Sequence, residues 1–519
     1  MDRVTLYHPW GWMWTVPAVV LLAWAGSRWC RLWRLPFTDA GERLAFGLAL
    51  STGALSYLVL AVGLLGWLQK GVLWLLFAVI LLAGGAAWWR VRAFKEEAQP
   101  FSWRMWLPFA ILAVLVLPMV VSPPAATDWD GLAYHLAAPA IWLREGRIGY
   151  IPFMHQSNFP FVMEMQYLWA LGIGAGAGGA KVFHWATLLL TLGAVFAFAR
   201  RTGFAGSWAA ASLVSVPVVL WEASVAYADL ATTAYTLLCL LAAWNAAGEG
   251  DASTRRSWLA LAGLMGGLAL GTKMTALGSV GLLAVLLAWE SVRRRPIRLV
   301  EIAGCVGIAL LVGAPWYIKT YVYTGNPVYP YFYELFGGRN WTAENARIYR
   351  EAQLAFGLGR EPYQLLMSPF NLTFFWSRFC DPLPFVGSAG FVYLAGLVPL
   401  SPKAGARPLA CSFVSVGHGI SAVLELPDGR TLLYDTGKLG SPLGSVAAGA
   451  PPDGAAADSP AGAGGAAAVT VAARCGSVAS AGAVGGPPVA SRAGSWSAPS
   501  TGPSAASAAT AGSAATGAS

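Results

Sequence analysis

The chain has 519 residues, 56% hydrophobic and 11% charged, with mean hydropathy +0.56 and a net charge of +9. That balance cannot cover a water-exposed globular surface, so a soluble protein is excluded and a polytopic membrane protein is expected. The Lys and Arg residues fall in short clusters between apolar runs, which report orientation in a membrane and argue against nucleic acid as a partner.

A membrane span takes about 20 apolar residues. In chain order, spans are expected over 12–27, 45–68, 72–89, 105–121, 182–199, 207–220, 230–247, 258–272, 274–289, 299–316 and 385–400, which makes about eleven crossings. The first has no basic stretch before it and no small-residue cleavage pattern after it, and reads as a retained span rather than a cleaved signal. If the spans alternate, Arg28, Arg31 and Arg34, then Arg90, Arg92, Lys95 and Arg104, then Arg200 and Arg201, Arg255 and Arg256, and Arg293, Arg294, Arg295 and Arg298 all share one side. By the positive-inside rule that side is the cytoplasm.

The alternation makes two demands. The apolar stretch 161–173 cannot cross fully beside 182–199 and reads as a re-entrant or surface helix, while 258–290 must break at Gly271-Thr272-Lys273, leaving Lys273 near the outer face. The long outer segments are then 122–180 and 317–366, and function is sought there, because irregular chain at membrane depth is costly unless it is buried in protein or lines a cavity.

Beyond residue 400 the pattern changes. Residues 409–437 alternate apolar and small side chains around a P-D-G turn, the signature of a hairpin, and 401–444 reads as a fragment of a soluble β-containing domain. Residues 445–519 are almost entirely Ala, Gly, Ser, Pro, Val and Thr without periodicity, and disorder is expected there. The six cysteines are scattered without C-x-x-C spacing, so neither a disulfide framework nor a zinc site is implied. The expected fold class is an all-α polytopic membrane protein of the inner (plasma) membrane, with a short β-hairpin fragment and a disordered C-terminal tail.

The residues able to carry chemistry begin with T-D-W-D-G-L-A-Y-H, residues 127–135, directly after an apolar run. Asp128 and Asp130 are the catalytic candidates: one carboxylate serves as general base on an acceptor hydroxyl while the other positions it or helps to bind a divalent cation such as Mg or Mn. The plainer alternative is that the pair caps the next helix, with Asp130 as N-cap. That helix, 131–145, reads as amphipathic, with Leu132, Leu136 and Ile141 on one face, lying along the membrane surface. His135 and His155 share this loop and are either proton carriers, metal ligands or structural residues. Glu164 is a substrate-binding candidate because a carboxylate near a bilayer is costly unless used. Asp229, in Y-A-D-L, either binds substrate or caps the following span. Lys273, in G-T-K, offers a cation and free N–H groups to a phosphate head group, or else snorkels. Residues 317–341 are dense in tyrosine, which suits an interfacial aromatic belt and also sugar rings and prenyl chains, while the G-N-P turn and Gly337-Gly338 mark ordered loop structure.

D-W-D-G-L-A-Y-H-L-A-A-P-A-I-W-L-R-E-G-R-I, then N-F-P-F-V-M-E, Y-A-D-L, G-T-K and A-P-W-Y-I-K-T-Y-V-Y-T-G-N-P-V-Y-P, in that order over about residues 1–400, resemble the bacterial GT-C membrane glycosyltransferases. The branch resembled is the family 39, protein O-mannosyltransferase-like and lipid A aminoarabinose-transferase-like one. The resemblance implies a polyprenyl-phosphate-linked sugar donor, an outward-facing site among membrane lipids, and an inverting displacement at the anomeric carbon assisted by an acid in the first outer loop. Carried onto this chain that acid is Asp128 or Asp130, with Lys273 as a contact for the donor phosphate. Some branches use a divalent metal and others do not; if one is used here, Asp128 and Asp130 are its ligands.

Residues 413–442, F-V-S-V-G-H-G-I-S-A-V-L-E-L-P-D-G-R-T-L-L-Y-D-T-G-K-L-G-S-P, resemble the opening of the metallo-β-lactamase-like domain of ComEC-type DNA-internalisation proteins. The H-x-H-x-D-H motif of that fold is missing, so no hydrolase activity is assigned. The abrupt junction at 401–409, with a tail of the kind a frame shift in GC-rich DNA produces, points to a fusion, truncation or gene-model artefact; peptides of the intact tail in the native protein would overturn that reading. The alternatives to a glycosyltransferase are a transporter or ComEC-like DNA-uptake channel component and, third, a scaffold without catalysis. A DNA channel calls for basic, aromatic-lined faces along the spans, whereas here the basic residues lie at span ends.

Overall fold

Inside a hydrocarbon layer a helix satisfies its backbone N–H and C=O groups within one segment, and the long apolar runs of this chain adopt it. The computed structural model describes residues 8–92, 103–125, 128–203, 206–294, 298–379, 410–416, 419–425 and 431–435. The chain divides into two compact units, Met1–Leu400 and Ser401–Ser519.

The first unit is helical. Its elements are α1 (Trp12–Leu32), α2 (Ala40–Leu64), α3 (Lys70–Val91), α4 (Trp103–Val121), α5 (Ala137–Glu145), α6 (Val162–Ile173), α7 (Gly176–Thr202), α8 (Gly206–Val214), α9 (Pro217–Glu222), α10 (Asp229–Gly248), α11 (Ala252–Thr272), α12 (Ala276–Arg294), α13 (Leu299–Thr324), α14 (Tyr333–Phe336) and α15 (Ala343–Leu354), with further short turns after it. Among the described residues, five helices are long and apolar enough to cross a membrane: α2, α3, α7, α10 and α13. Shorter apolar stretches occupy Ala110–Val121 and Ala276–Trp289. This is a membrane protein. The central helix is α7, whose apolar window is 83% buried against α1, α2, α4, α6, α8 and α10, whereas that of α13 is only 28% buried and forms the rim. In lipid, helices associate by close packing of small residues rather than by a hydrophobic drive. At the α1–α2 crossing a Cβ on Gly26 would lie 1.8 Å from the Gly47 carbonyl oxygen, so only glycine permits that approach.

Three expectations are refined by these helices. The segment 161–173 is not a surface helix: α6, at about 1.5 Å per residue too short to cross, is enclosed by α2, α3, α5, α7 and α11, with Glu164, Met165, Tyr167 and Trp169 fully buried. The Trp169 indole donates to Leu73 O at 2.9 Å and meets Trp74 and Phe77 ring to ring. The expected span 207–220 is divided into α8 and α9, because Pro217 has no N–H to continue the ladder and holds Val216 extended. At the other break, α11 stops at Thr272, Lys273 is extended, and α12 begins at Ala276.

The stretch 131–145 differs most from its expectation. Residues Gly131–His135 form a π-helical turn, closed by Leu136 N–H donating to Gly131 O, before α5 begins. The wider turn shifts the helical phase, so Leu132 is 41% exposed while Tyr134, His135, Leu136, Trp142 and Leu143 are buried. Leu132, Leu136 and Ile141 therefore do not share one lipid-facing stripe, and the segment is built into the bundle.

The bundle has two ends. One gathers the starts of α2, α11 and α13 with the C-terminus of α7: Arg201 pairs with Glu42, Arg200 with Asp39, and Arg255 with Glu301. Asp39 also caps α2, accepting from Glu42 N–H at 2.8 Å. The other end gathers the starts of α6 and α10, the end of α11, and the loops after α4 and α13.

In the second unit β1 (Ala410–Val416), β2 (Gly419–Glu425) and β3 (Thr431–Asp435) form an antiparallel sheet in the order β1-β2-β3, with Val423 opposite both Ser412 and Leu433. The expected span 385–400 and the expected disordered tail 445–519 lie outside the described residues.

Candidate functional site

At the second end of the bundle a small cavity, partly open to the outside, is walled by Tyr134, His135, Phe159, Phe161, Glu164 and Lys273, with Tyr331 at its edge. Its polar floor is one pair. His135 Nδ1 lies 2.5 Å from Glu164 Oε1, and the two residues are 3% and 1% exposed. The π-helical turn presents His135 and α6 presents Glu164, so two residues 29 positions apart meet where both are buried. His135 Nε2 and Glu164 Oε2 are both buried without a hydrogen-bond partner. When Nδ1 carries the hydrogen and donates to Glu164, Nε2 keeps its lone pair and the unused Glu164 oxygen remains an acceptor. Leaving such atoms unsatisfied costs about 1–3 kcal/mol each.

The rest of the wall is fixed from both sides. Tyr134 O–H donates to Asp130 Oδ2 at 3.1 Å and its ring lies 4.1 Å from that of His135. Burial, reinforced by the charges of Asp130 and Glu164, pushes the Tyr134 phenol far above its ordinary range, so it stays a donor at any physiological pH. Tyr227, stacked on His135 at 5.5 Å, is pushed up to about 12, chiefly by burial. Lys273 Nζ pairs with Asp229 Oδ1 at 2.6 Å. Burial works against the Lys273 ammonium, but the Asp229 carboxylate outweighs it and raises the pKa above the ordinary lysine value, with Asp130 adding in the same sense. This pair is 35% and 46% exposed at Lys273 and Asp229, so it sits at the mouth, not the floor.

Three of the residues singled out in the sequence, His135, Glu164 and Lys273, thus line one cavity, and Asp130 and Asp229 are bonded to its wall. Asp130 does not act as a helix cap: its backbone is already helical and its carboxylate takes the Tyr134 hydroxyl instead. Nor does Asp229, which lies inside the first turn of α10 behind Ala228. Asp128 stands apart. It is 6% exposed, and its Oδ2 accepts from Ala125 N–H at 2.9 Å within its own turn. His155 also lies outside the cavity, boxed by Phe159, Trp341 and Tyr349, and burial lowers its pKa below the ordinary histidine value.

Among the described residues no three His, Cys, Asp or Glu side chains are arranged to hold a metal ion. Asp128 and Asp130 do not make such a set, because one carboxylate is turned onto a backbone N–H and the other onto Tyr134.

Sequence reasoning missed Lys319. This residue of α13 is 4% exposed, donates to Ser157 O at 2.9 Å and Phe159 O at 3.4 Å, and sits 5.4–5.6 Å from the ring centres of Trp142, Phe161 and Trp316. It fastens the loop before α6 to α13 and so fixes Phe159 and Phe161 in the cavity wall. The signal was a single lysine inside the tyrosine-rich stretch, hidden by the belt reading of its neighbours. The G-N-P turn is held by Asn326, fully buried, whose Nδ2 donates to Tyr331 O and Gly337 O, which sets Tyr331 over the cavity edge.

Residues 179–389 match a family model described as a domain of unknown function, DUF8201. The match takes in α10, α11 and α13, hence Asp229, Lys273 and Lys319, and begins after Asp130, His135 and Glu164. No curated protein and no solved structure matches the chain.

Proposed function

We propose that this chain is an integral membrane glycosyltransferase of the GT-C kind, moving a sugar from a polyprenyl-phosphate donor to a lipid, glycan or protein acceptor at the outer face of the plasma membrane. The observation that carries the reading is the meeting of His135, Glu164 and Lys273, from three separate segments, in one aromatic-walled cavity at one end of an apolar bundle. Aromatic faces suit a sugar ring, the buried histidine and carboxylate suit its hydroxyls, and the half-exposed ammonium suits a phosphate at the mouth.

In the proposed reaction the acceptor hydroxyl oxygen bonds to the anomeric carbon as the bond from that carbon to the donor phosphate oxygen breaks. The hydroxyl proton passes to a carboxylate, and the lipid phosphate leaves with the bonding pair. Asp130 is the better placed of the two loop acids, being partly exposed beside Tyr134, while Asp128 is committed to its own turn. Lys273 exchanges Asp229 for the phosphate and balances the charge of the leaving group. We further read α1, α4, α11 and α12 as crossings beside α2, α3, α7, α10 and α13, with α8 and α9 together making one more, and the Arg-rich end as cytoplasmic.

The test is transfer of labelled sugar from a panel of polyprenyl-phosphate sugars by the purified full chain in native-lipid nanodiscs. Asp130→Asn and Glu164→Gln are each expected to lower transfer about 100-fold or more, and Asp128→Asn much less. An inactive wild type across the panel would sink the reading, and full activity in both Asp130→Asn and Glu164→Gln would remove this cavity as its site.

A further inference from the structure

A second hollow lies at the opposite end of the bundle, between α11 and α13. It is an open groove of about 720 Å³ lined by Arg256 and Leu259 on one helix and by Arg298, Val300, Gly304 and Ile308 on the other. Its head is basic and its floor apolar. Arg256 and Arg298 are exposed, and Arg256 Nε donates only to Ala252 O of its own helix among the bonds described. The acid at the groove, Glu301, is taken by Arg255, whose Nε and Nη2 each reach one of its oxygens at 3.2 Å, so the head keeps a net positive charge. Both helices begin here, at Ala252 and Leu299, and their amino ends add partial positive charge.

We infer that this groove holds one anionic phospholipid, with its phosphate between Arg256 and Arg298 and an acyl chain running over Gly304 toward Ile308. Three observations favour a lipid over a free phosphate. The floor below the arginines is apolar and belongs to α13, a helix long and apolar enough to cross a membrane. A Cβ built on Gly304 meets nothing within 4 Å, so no side chain closes the floor. From Arg298 to Ile308 is ten residues, about 15 Å of helix rise and half of the roughly 30 Å hydrocarbon layer, which is the depth of one leaflet. The site is independent of the catalytic reading and needs only that the protein resides in a membrane. Basic pockets between helices at a membrane surface select anionic head groups in this way, each arginine being worth about a fivefold preference, so two set a scale of roughly twentyfold.

The test is native mass spectrometry of the purified full chain given equal amounts of phosphatidylglycerol and phosphatidylcholine with the same acyl chains. Wild type should retain phosphatidylglycerol in roughly twentyfold excess. The Arg256→Gln, Arg298→Gln double variant should lose that preference, and Gly304→Leu, which fills the floor without touching a charge, should lower retention of the bound lipid. Equal retention of the two lipids by wild type, or an unchanged preference in the double variant, would overturn the site. So would a thermal stabilisation by inorganic phosphate equal to that given by phosphatidylglycerol. If the double variant does not fold, Gly304→Leu decides, and unaltered phosphatidylglycerol retention in it counts against the proposal.

Discussion

Glu42 and Glu164 are both buried carboxylates, one at each end of the bundle, yet they are treated in opposite ways. Both oxygens of Glu42 are matched: Oε1 by Arg201 and Asn245, and Oε2 by Arg201, the Thr38 backbone N–H and the Thr38 hydroxyl. Glu164 is matched on one oxygen only, by a histidine that itself keeps an orphaned nitrogen. A saturated buried ion pair adds little net stability, but losing one partner is expensive, so such a network fixes how α2, α7 and α10 meet. The His135–Glu164 pair instead keeps two unpartnered polar atoms, a local cost left in the fold. The two buried carboxylates thus differ in saturation: Glu42 ties helices together through both oxygens, and Glu164 keeps one oxygen unpartnered.

The largest expected effect comes from breaking the saturated end. Glu42→Gln should destabilise the chain by about 3 kcal/mol, the low side of the range for a broken buried pair because Arg201 keeps 19% exposure, read as a lower midpoint in denaturant titration of the micellar protein. The same change at the other end, Glu164→Gln, should cost no more than about 1 kcal/mol in that measurement, because the His135 hydrogen bond survives in neutral form. Equal losses in the two variants would erase the distinction between the ends.

Next in size, Lys319→Met should leave two loop carbonyls unbonded and weaken the local fold by about 1–3 kcal/mol, seen as faster hydrogen exchange over residues 155–161 with the Glu42 end unchanged. Asp229→Asn removes a pair at the cavity mouth that is about two-fifths exposed, and after allowance for solvent screening the stability change should stay under about 1 kcal/mol. Its larger consequence is expected in donor binding, where Lys273 is freed for phosphate.

The smallest effect concerns acidity. Burial lowers the His155 pKa from 6.5, so below that pH the unfolded chain binds a proton that the folded one resists. Stability contributed by neutral His155 is therefore fully present above about pH 6.5 and declines as pH falls through and below it. His155→Phe should flatten the dependence of the melting temperature on pH between 6.5 and 5, roughly, and an identical slope in the variant would show that another group titrates there.

Much of this architecture was legible in order of residues alone. Apolar runs of span length, arginines at their ends and the demand for alternation locate most helices, require the break at Lys273 and forbid 161–173 from crossing, because hydrocarbon imposes a length and a satisfied backbone on any segment that enters it. The cost of a carboxylate near a bilayer selected Asp128, Asp130 and Glu164, and the helix break selected Lys273. What the sequence could not supply is the direction in which each side chain turns. The π-helical turn at Gly131–His135 rotates Leu132 outward and His135 inward, a phase change with no periodic mark, and Pro217 divides a run whose hydropathy alone is continuous. The union of His135 with Glu164, of Asp229 with Lys273 and of Lys319 with the Ser157 carbonyl depends on helices from distant segments meeting at one end of a bundle. Membrane partition is set locally, residue by residue, whereas which polar atom is satisfied and which is left without a partner is a property of neighbours that only packing brings together.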